Sequence, residues 1–228
     1  MQIVFDLGAI LLGYILGSIP FGLLIVKIKT GKDIRNVESG RTGGTNAMRA
    51  AGIGAGLLTA FLDILKGAAA VWLAEVLTPH NLVHLMAPIA AIIGHNYSIF
   101  LTERDENGRL RLRGGAGGAP ALGGAMGMWA PALPILFGLG AVVFFTLGYA
   151  SVTTMAVAFF AMVIFAIRAW MGLMPWVDVL YGVIAEMLLI WALRPNIAKL
   201  LNGTERVVHI SLHGWLKARK EQRADTGK

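Results

Sequence analysis

The chain has 228 residues, of which 56% are hydrophobic and 14% are charged, and its mean hydropathy is +0.67. Several apolar stretches reach the roughly 20 residues that a bilayer-spanning helix needs, so we expect an all-α, polytopic integral membrane bundle with no room for a soluble domain. The net charge of +7 requires no nucleic acid, because anionic lipid headgroups and an anionic substrate account for it. Cysteine is absent, which excludes disulfides and thiolate chemistry.

The apolar stretches predict seven transmembrane helices. They lie at about 3–26, 50–77, 82–101, a short fourth segment beginning near 119, 132–149, 152–170 and 176–193. A six-helix arrangement, in which the short fourth segment does not cross, is the alternative. We expect one domain over residues 1–205. The basic tail, 206–228, is either an amphipathic segment on the membrane surface or a solvated extension.

Basic residues orient the predicted bundle. In the seven-helix arrangement, the loop after the first helix, the loop after the third and everything from Arg194 onward share one side of the membrane. These regions contain every lysine and arginine except Lys66 and Arg168. By the positive-inside rule this side is cytoplasmic, with the amino terminus outside and the carboxyl terminus inside.

Small residues recur at spacings that let helices approach closely in lipid. They are the pair Gly13 and Gly17, the pair Gly123 and Gly127, and the group Gly52, Gly54 and Gly56. These glycines predict helix packing and no chemistry.

A polar run from Glu38 to Arg49 separates the first two apolar stretches, and packing does not explain it. Its glycines let backbone N–H groups approach an anion, and hydroxyl, amide and guanidinium groups donate further hydrogen bonds beside a helix start. The run therefore predicts a phosphate-binding cradle at the membrane surface. The alternative is a glycine-rich connector whose charges meet lipid headgroups. The candidate ligands are Ser39, Gly40, Arg41, Gly43, Gly44, Thr45, Asn46 and Arg49.

Ionisable residues inside predicted helices are costly to bury, so each is a functional candidate. Asp63 and Lys66 are three residues apart and share one helix face, where they either form a structural ion pair or line a polar cavity. His95 lies near the cytoplasmic end of the third helix, either as a hydrogen-bonded helix-end residue or facing the basic loops. We include Lys66 and His95 among the candidate substrate-binding residues. Glu186 lies alone within the last helix.

A second glycine cluster, from Arg113 to Gly118, opens the fourth predicted helix. Because it lies on the same membrane face as the cradle, we expect Arg113, Gly114 and Gly115 to bind substrate phosphate as well. Just upstream, the Asn107-Gly108 pair is typical of a tight hairpin turn. Residues 103–112 are therefore expected to form a small surface hairpin.

A series of spaced motifs runs along nearly the whole chain. The motifs are Gly17-Ser18-Ile19-Pro20-Phe21-Gly22, Asp33-Ile34-Arg35, Ser39-Gly40, Gly43-Gly44-Thr45-Asn46 with Arg49, Asp63-x-x-Lys66-Gly67, Gly94-His95, Gly114-Gly115, and Asn196-Ile197 with Leu201 and Gly203-Thr204-Glu205. In content and order this series resembles the PlsY family. The resemblance implies a seven-span enzyme of phospholipid synthesis in the bacterial plasma membrane.

The resemblance also implies a reaction. The enzyme would move an acyl group from acyl phosphate to the 1-hydroxyl of glycerol 3-phosphate, giving 1-acylglycerol 3-phosphate and phosphate. It would use neither CoA nor acyl carrier protein and would need no metal or cofactor. Ser39, Arg49 and Asn196 are the implied catalytic residues. An acyl phosphate is an activated mixed anhydride whose leaving phosphate can accept the proton, so positioning and charge stabilisation would supply most of the acceleration.

Three positions depart from the family pattern, which has asparagine at Arg41, lysine at Ala116 and histidine at Leu193. One interpretation is that the Arg41 guanidinium replaces the missing lysine and preserves the charge of the site; Arg111 and Arg113 are the other candidates. The alternative function is a catalytically altered relative that binds or transports an anionic lipid or a phosphorylated metabolite.

Overall fold

The computed structural model describes residues 1–208, 211–216, 218 and 219, and these form a helical bundle with a small β-hairpin at one end. The helices are α1 (Gln2–Ser18), α2 (Phe21–Thr30), α3 (Gly44–Ala51), α4 (Ile53–Leu77), α5 (Asn81–Asn96), α6 (Gly118–Met128), α7 (Ala132–Leu147), α8 (Ala150–Trp170) and α9 (Val179–Leu201). The strands are β1 (Ser98–Arg104) and β2 (Leu110–Arg113), which pair antiparallel.

The first predicted helix is two helices in the structure. α1 ends at Ser18 and α2 begins at Phe21, because Pro20 has no backbone N–H with which to continue the helical hydrogen-bond ladder. At this break the carbonyl of Ile19 accepts a hydrogen bond from the Lys66 ammonium at 2.9 Å. The break therefore connects the first apolar stretch to an ionisable residue of α4.

The second and third predicted helices also need correction. Gly52, with φ of 87°, ends α3 and separates it from α4, so Arg49 lies in the last turn of a short helix and not at the start of a transmembrane one. The third predicted helix ends at Asn96 instead of residue 101, since Ser98–Arg104 is a strand. The hairpin predicted over 103–112 is present and longer than expected.

Most of the glycine contacts predicted between helices are present. A Cβ atom at Gly13 or Gly17 would overlap backbone carbonyl oxygens of α5, and one at Gly123 would overlap the carbonyl oxygen of Ile64 in α4. The prediction is wrong for Gly52 and Gly54, which have no such neighbour within 4 Å in the structure. Close backbone approach thus fixes α1 against α5 and α6 against α4.

Four helical stretches among the described residues are long and apolar enough to span a bilayer: Gln2–Thr30, Ile53–Leu77, Ala150–Trp170 and Trp176–Leu201. By contrast, α6 has 11 residues, or about 17 Å, against about 30 Å of hydrocarbon core. It begins against Thr154, and Trp129 just after its end stacks on Arg168, so it runs beside α8 in the same direction. The count of seven crossings stays a prediction.

The largest buried cluster lies among α5 to α9 and includes Leu136, Phe165, Tyr181 and Leu189. Many large apolar side chains on the outer faces of the bundle are exposed, as helices in contact with lipid require. Inside the cluster, the Tyr181 hydroxyl donates to the carbonyl of Ala121 at 2.6 Å, which satisfies a buried polar group. The packed cluster holds α5, α6, α7, α8 and α9 together along the bundle.

Candidate functional site

Polar residues from distant parts of the chain converge on one pocket, which we call the central pocket. Its volume is about 290 Å³, and its wall combines the 38–46 segment with the starts of α6 and α8 and the end of α9. Of the sequence-predicted site residues, it is lined by Ser39, Arg41, Gly43, Gly44, Thr45, Asn46, Arg49, His95 and Asn196. Residues more than a hundred positions apart thus share one cavity.

The other predicted glycines line a neighbouring cavity of about 300 Å³, the outer pocket. The outer pocket is lined by Gly40, Arg113, Gly114 and Gly115, and it shares Arg41 and Ser39 with the central pocket. The second glycine cluster therefore reaches the central pocket through its later residues, 116–118, and not through the pair expected from the sequence.

The two glycine segments are tied to one another by their backbones. The N–H of Thr42 donates to the carbonyl of Gly114 at 3.4 Å, and the N–H of Gly115 donates to the carbonyl of His95 at 2.8 Å. Gly117 has φ of 89°, and a Cβ atom there would lie 2.8 Å from the Asn96 side chain. Glycine is needed at 117 both for this conformation and for this approach.

Asn46 holds the cradle in shape. Its amide nitrogen lies 3.2, 3.0 and 2.8 Å from the carbonyl oxygens of Ile34, Val37 and Arg41. The side chain is buried in the segment that it organises. The amide donor of Asn46 thus serves the protein backbone, and the neighbouring Thr45 and Arg49 are the more exposed groups at the pocket.

Arg41 extends from the cradle to α9, where its Nη2 donates to the carbonyl of Ala192 at 2.7 Å. Burial lowers the pKa of the Arg41 guanidinium, and the carboxylate of Glu205 acts in the opposite direction. The group nevertheless stays protonated, as arginine does in proteins. Since Ala116 and Leu193 also line the central pocket, Arg41 places a positive charge in the cavity where the family's lysine and histidine are missing.

Arg111 and Arg113, the other candidates for that charge, lie elsewhere. Arg111 is exposed and its Nε lies 3.2 Å from a carboxylate oxygen of Asp105. Arg113 Nε lies 2.7 Å from Glu103, which also pairs with Arg35 at 2.8 Å. These two arginines therefore belong to a surface ion-pair network around the hairpin, and neither lines the central pocket.

Glu205, which sequence reasoning left out of the candidate site, positions Asn196. The amide of Asn196 donates to Glu205 Oε1 at 2.8 Å, and the Ser151 hydroxyl donates to the same oxygen at 3.2 Å. The neighbouring Arg206 pairs with Glu38 across the pocket rim. The Gly203-Thr204-Glu205 motif was the signal that could have identified this carboxylate.

Further pocket residues were missed because their sequence signals are weak. Thr154 belongs to a short polar run, 151–154, within a long apolar stretch. Lys199 follows Asn196 by three residues and so shares its helix face. Residues of the 38–49 segment, of α8 and of α9 thus contribute hydrogen-bond donors to the cavity, a combination that suits an anionic, polar ligand.

Lys66 does not line the central pocket. Its Nζ lies 2.9 Å from the carbonyl oxygen of Ile19, 2.8 Å from Asp63 Oδ1 and 2.9 Å from His95 Nδ1. The contacts with Ile19 and His95 are hydrogen bonds and the contact with Asp63 is an ion pair, so protein groups surround the ammonium. Of the two interpretations of the Asp63–Lys66 pair, the structure favours the structural ion pair for Lys66, while Asp63 and His95 reach the pocket wall.

Comparisons with known proteins identify the family of the chain. A model of the family described as glycerol-3-phosphate acyltransferase matches residues 7–203. Relatives of that name include a protein of Rubrobacter xylanophilus, 38% identical over 197 residues, which are 86% of this chain and 92% of the relative. A protein of Thermus thermophilus is 35% identical over 198 residues, again 86% and 92% of the two chains.

Solved structures are similar as well. The crystal structure of PlsY, an integral membrane glycerol 3-phosphate acyltransferase, in its glycerol 3-phosphate form superposes with a TM-score of 0.76 at 30% identity. The match covers 89% of this chain and 94% of that chain. With nearly its whole length matched in sequence and in fold, the chain belongs to the glycerol-3-phosphate acyltransferase family of integral membrane proteins.

Proposed function

We propose that this protein transfers an acyl group from acyl phosphate to the 1-hydroxyl of glycerol 3-phosphate, giving lysophosphatidate and phosphate. The observation that carries the proposal is the meeting of the cradle with Asn196 in one pocket, in a member of this family. The similar PlsY structures were solved in glycerol 3-phosphate and lysophosphatidic acid forms, with TM-scores of 0.76 and 0.74. These ligands match the proposed acceptor and product.

The start of α3 supports binding of a phosphate group. The backbone N–H groups of Asn46 and Ala47 bond to the carbonyl of Gly43, whereas those of Gly44 and Thr45 have no protein partner among the described residues. Such N–H groups at a helix start favour an anion. Arg41 precedes this helix start and Arg49 lies in the last turn of α3, and both guanidinium groups add positive charge to the pocket.

In the proposed reaction, Ser39, Arg49 and Asn196 contact the reacting groups. The acceptor hydroxyl attacks the acyl carbonyl, an ester C–O bond forms, and the bond between the acyl carbon and the phosphate oxygen breaks. The departing phosphate takes the hydroxyl proton, so no protein base is required. The site then accelerates transfer by holding the two substrates in line and by stabilising the charge on the phosphate.

The position of the pocket suits one soluble and one lipid-like substrate. It opens at the end of the bundle that carries the basic loops, which we propose is the cytoplasmic side of a bacterial plasma membrane. There a water-soluble acceptor reaches the cradle while an acyl chain stays among membrane lipids. The proposal includes acyl phosphate as donor, with no role for CoA, acyl carrier protein, metal or nucleic acid.

A second function has one observation in its favour. Ala116 and Leu193 line the central pocket as apolar residues at positions where the family pattern is basic or titratable. A relative altered in this way would bind or transport an anionic lipid or a phosphorylated metabolite without acyl transfer.

The deciding experiment measures phosphate release from acyl phosphate by purified protein in lipid vesicles, with and without glycerol 3-phosphate. Acyltransferase activity predicts release only when acceptor is present, with equal amounts of lysophosphatidate formed. Acyl-CoA and acyl carrier protein thioesters serve as matched donors that are expected to give no product. Binding of glycerol 3-phosphate without any transfer would favour the second function.

A further inference from the structure

Asp63, Lys66 and His95 form a buried array at the central pocket, with side chains 1%, 3% and 5% exposed; Asp63 and His95 line the pocket and Lys66 does not. Lys66 Nζ lies 2.8 Å from Asp63 and 2.9 Å from His95 Nδ1, and Asp63 Oδ1 lies 3.6 Å from that same ring nitrogen. The Phe21 ring, 5.6 Å from Nζ, also faces the ammonium. The carboxylate and the aromatic ring both stabilise a positive charge on Lys66.

A charged Lys66 determines where His95 carries its proton. The ammonium is a donor only, so His95 Nδ1 must accept from it. A proton on Nδ1 would set two donors against each other, and an imidazolium would place a second positive charge 2.9 Å from the first in a buried site. The arrangement that satisfies both groups is the neutral ring with its proton on Nε2.

The Nε2 edge of the ring faces the Gly115 backbone, where a Cβ atom would overlap Nε2. His95 is one of the residues that line the central pocket, and Nε2 has no hydrogen-bond partner in the described part of the chain. The unpartnered Nε2 edge thus lies against Gly115, which lines the outer pocket, while the His95 side chain itself lines the central pocket.

We propose that Asp63 and Lys66 lock His95 in the Nε2–H tautomer, and that this N–H is a fixed, neutral donor to the phosphorylated ligand of the central pocket. Lys66 is then a positioning residue that acts through His95 and does not contact the ligand. The donor role rests on the proposed function, because it takes the ligand to be a phosphate ester. The tautomer lock is independent of the proposed function, because it concerns only groups of the protein.

Nitrogen-15 NMR of histidine-labelled protein in detergent tests the lock without any activity measurement. The chain has five histidines, and the His95 signals are those that vanish in His95→Gln. In the wild type without ligand we expect Nδ1 to resonate as an unprotonated nitrogen and Nε2 as a protonated one throughout about pH 6 to 8, where an ordinary histidine titrates. A wild-type ring protonated at Nδ1 would overturn the lock.

The variant Lys66→Met tests the cause. Without the ammonium, the Asp63 carboxylate 3.6 Å away is left as the ring's polar neighbour, so Nδ1 should gain a proton. The kcat/KM for glycerol 3-phosphate should fall by about tenfold to a hundredfold through loss of one oriented hydrogen bond to a charged group. His80→Gln, a change at a half-exposed histidine outside the pocket, is the matched control and should alter neither property. An unprotonated Nδ1 in folded Lys66→Met would remove Lys66 from the lock.

The donor role is tested by titrating the wild type with inorganic phosphate and with glycerol 3-phosphate while calorimetry records binding. Either ligand should shift the Nε2 signal as its site fills. Calorimetric binding of glycerol 3-phosphate with no shift at Nε2 overturns the donor role while the proposed function stands. If neither ligand binds, the donor role and the proposed function both fail, and the proton position still decides the lock.

Discussion

At the residue scale, side chains of similar type near the pocket have different tasks. Asn46 holds the cradle backbone, whereas Asn196 is itself held by Glu205. Among the arginines, Arg41 is bonded to α9, while Arg49 is exposed and forms no ion pair with a described residue. A group without protein partners is the better candidate for direct ligand binding, since its donors are available.

Arg49→Ala should weaken glycerol 3-phosphate binding without unfolding the bundle. The change removes charge-assisted hydrogen bonds worth about 1.5 to 3 kcal/mol, or roughly tenfold to more than a hundredfold in affinity. Calorimetric titration of the acceptor measures the effect. Arg109→Ala, which removes the same charge from the exposed hairpin, is the control. Equal affinity in the two variants would remove Arg49 from the site.

The second residue-scale prediction concerns relocated charge. Arg41 and Ala116 line the same pocket, so a lysine at 116 would return a cation to the cavity after Arg41→Asn has removed one. We expect Arg41→Asn to abolish measurable acyl transfer and the Arg41→Asn, Ala116→Lys double variant to restore part of it, because an ammonium replaces the charge but not the planar guanidinium. The measurement compares transfer rates with the wild type in the same vesicles. A single variant as active as the wild type would show that acyl transfer does not depend on the charge of Arg41.

At the scale of elements, glycines set how closely the helices that frame the pocket approach one another. Gly67 of α4 faces the carbonyl oxygen of Pro120 near the start of α6, just below the pocket. Gly54, in the same helix, has no neighbour within 4 Å of a built Cβ atom. Two glycines of one helix therefore differ in what a methyl group would meet.

Gly67→Ala should lower the free energy of unfolding by about 1 to 3 kcal/mol, because the methyl group must push α6 away from α4. Gly54→Ala is the matched control and should be neutral or slightly stabilising, since alanine is about 0.5 to 1 kcal/mol better than glycine inside a helix. Thermal unfolding of both variants in one detergent measures the difference. Equal melting temperatures would show that the α4–α6 contact adapts without cost.

The segment after α9 is the second element with a predicted effect. Glu205 holds Asn196, and the N–H of Val208 donates to the carbonyl of Gly148 at 2.7 Å, so this segment packs onto the bundle beyond the expected boundary at 205. Of the predicted amphipathic tail, residues 212–216 are helical, and residues 209, 210, 217 and 220–228 lie outside those that the structure describes.

Truncation after His213 should leave acyl transfer largely intact, because the contacts of Glu205 and Val208 remain. Truncation after Thr204 removes the Glu205 carboxylate, leaves the Asn196 amide without its partner, and should abolish activity. Transfer assays on both truncated proteins, with folding checked by size-exclusion chromatography, give the comparison. Complete loss in a folded protein truncated after His213 would assign the tail to the site.

At the scale of the whole molecule, the distribution of charge and the position of the pocket agree. The cradle, the hairpin and the described residues that follow α9 lie at one end of the bundle, and each of these segments carries basic residues. The positive-inside rule assigns this end to the cytoplasm. If α6 crosses the membrane, the segments that follow it keep the orientation of the seven-helix arrangement; if it does not cross, their orientation is reversed.

Reporter fusions test this topology. Fusions after Lys32, Arg109 and Lys217, the last of which lies outside the described residues, should report the cytoplasm, and fusions near Pro79 and Leu173 the opposite side. The reason is the concentration of lysine and arginine in the first set of loops. A periplasmic signal at Arg109 would contradict the seven-helix arrangement, because the hairpin would then lie across the membrane from the cradle.

The sequence by itself determined the class of the protein and predicted the local features of its candidate site. Long apolar stretches indicate membrane-spanning helices because the hydropathy of a segment follows from its composition alone. The cradle and the Asn107-Gly108 turn were predicted because glycine, hydroxyl and amide groups shape the backbone within a few residues of themselves. The positions of Pro20 and Gly52 also carry local information, and their effect on the first two helices was missed because hydropathy averages over such breaks.

Only the tertiary structure decided which distant groups meet. The bonds of Arg41 to Ala192, of Asn196 to Glu205 and of Lys66 to His95 and Ile19 depend on how α4, α5 and α9 pack. Periodicity gives the face of a helix but not its partner, so the sequence placed Lys66 among the ligands and left Glu205 out. Packing distances, set by glycine contacts between the helices, determine which of these charges face the pocket and which neutralise one another behind its wall.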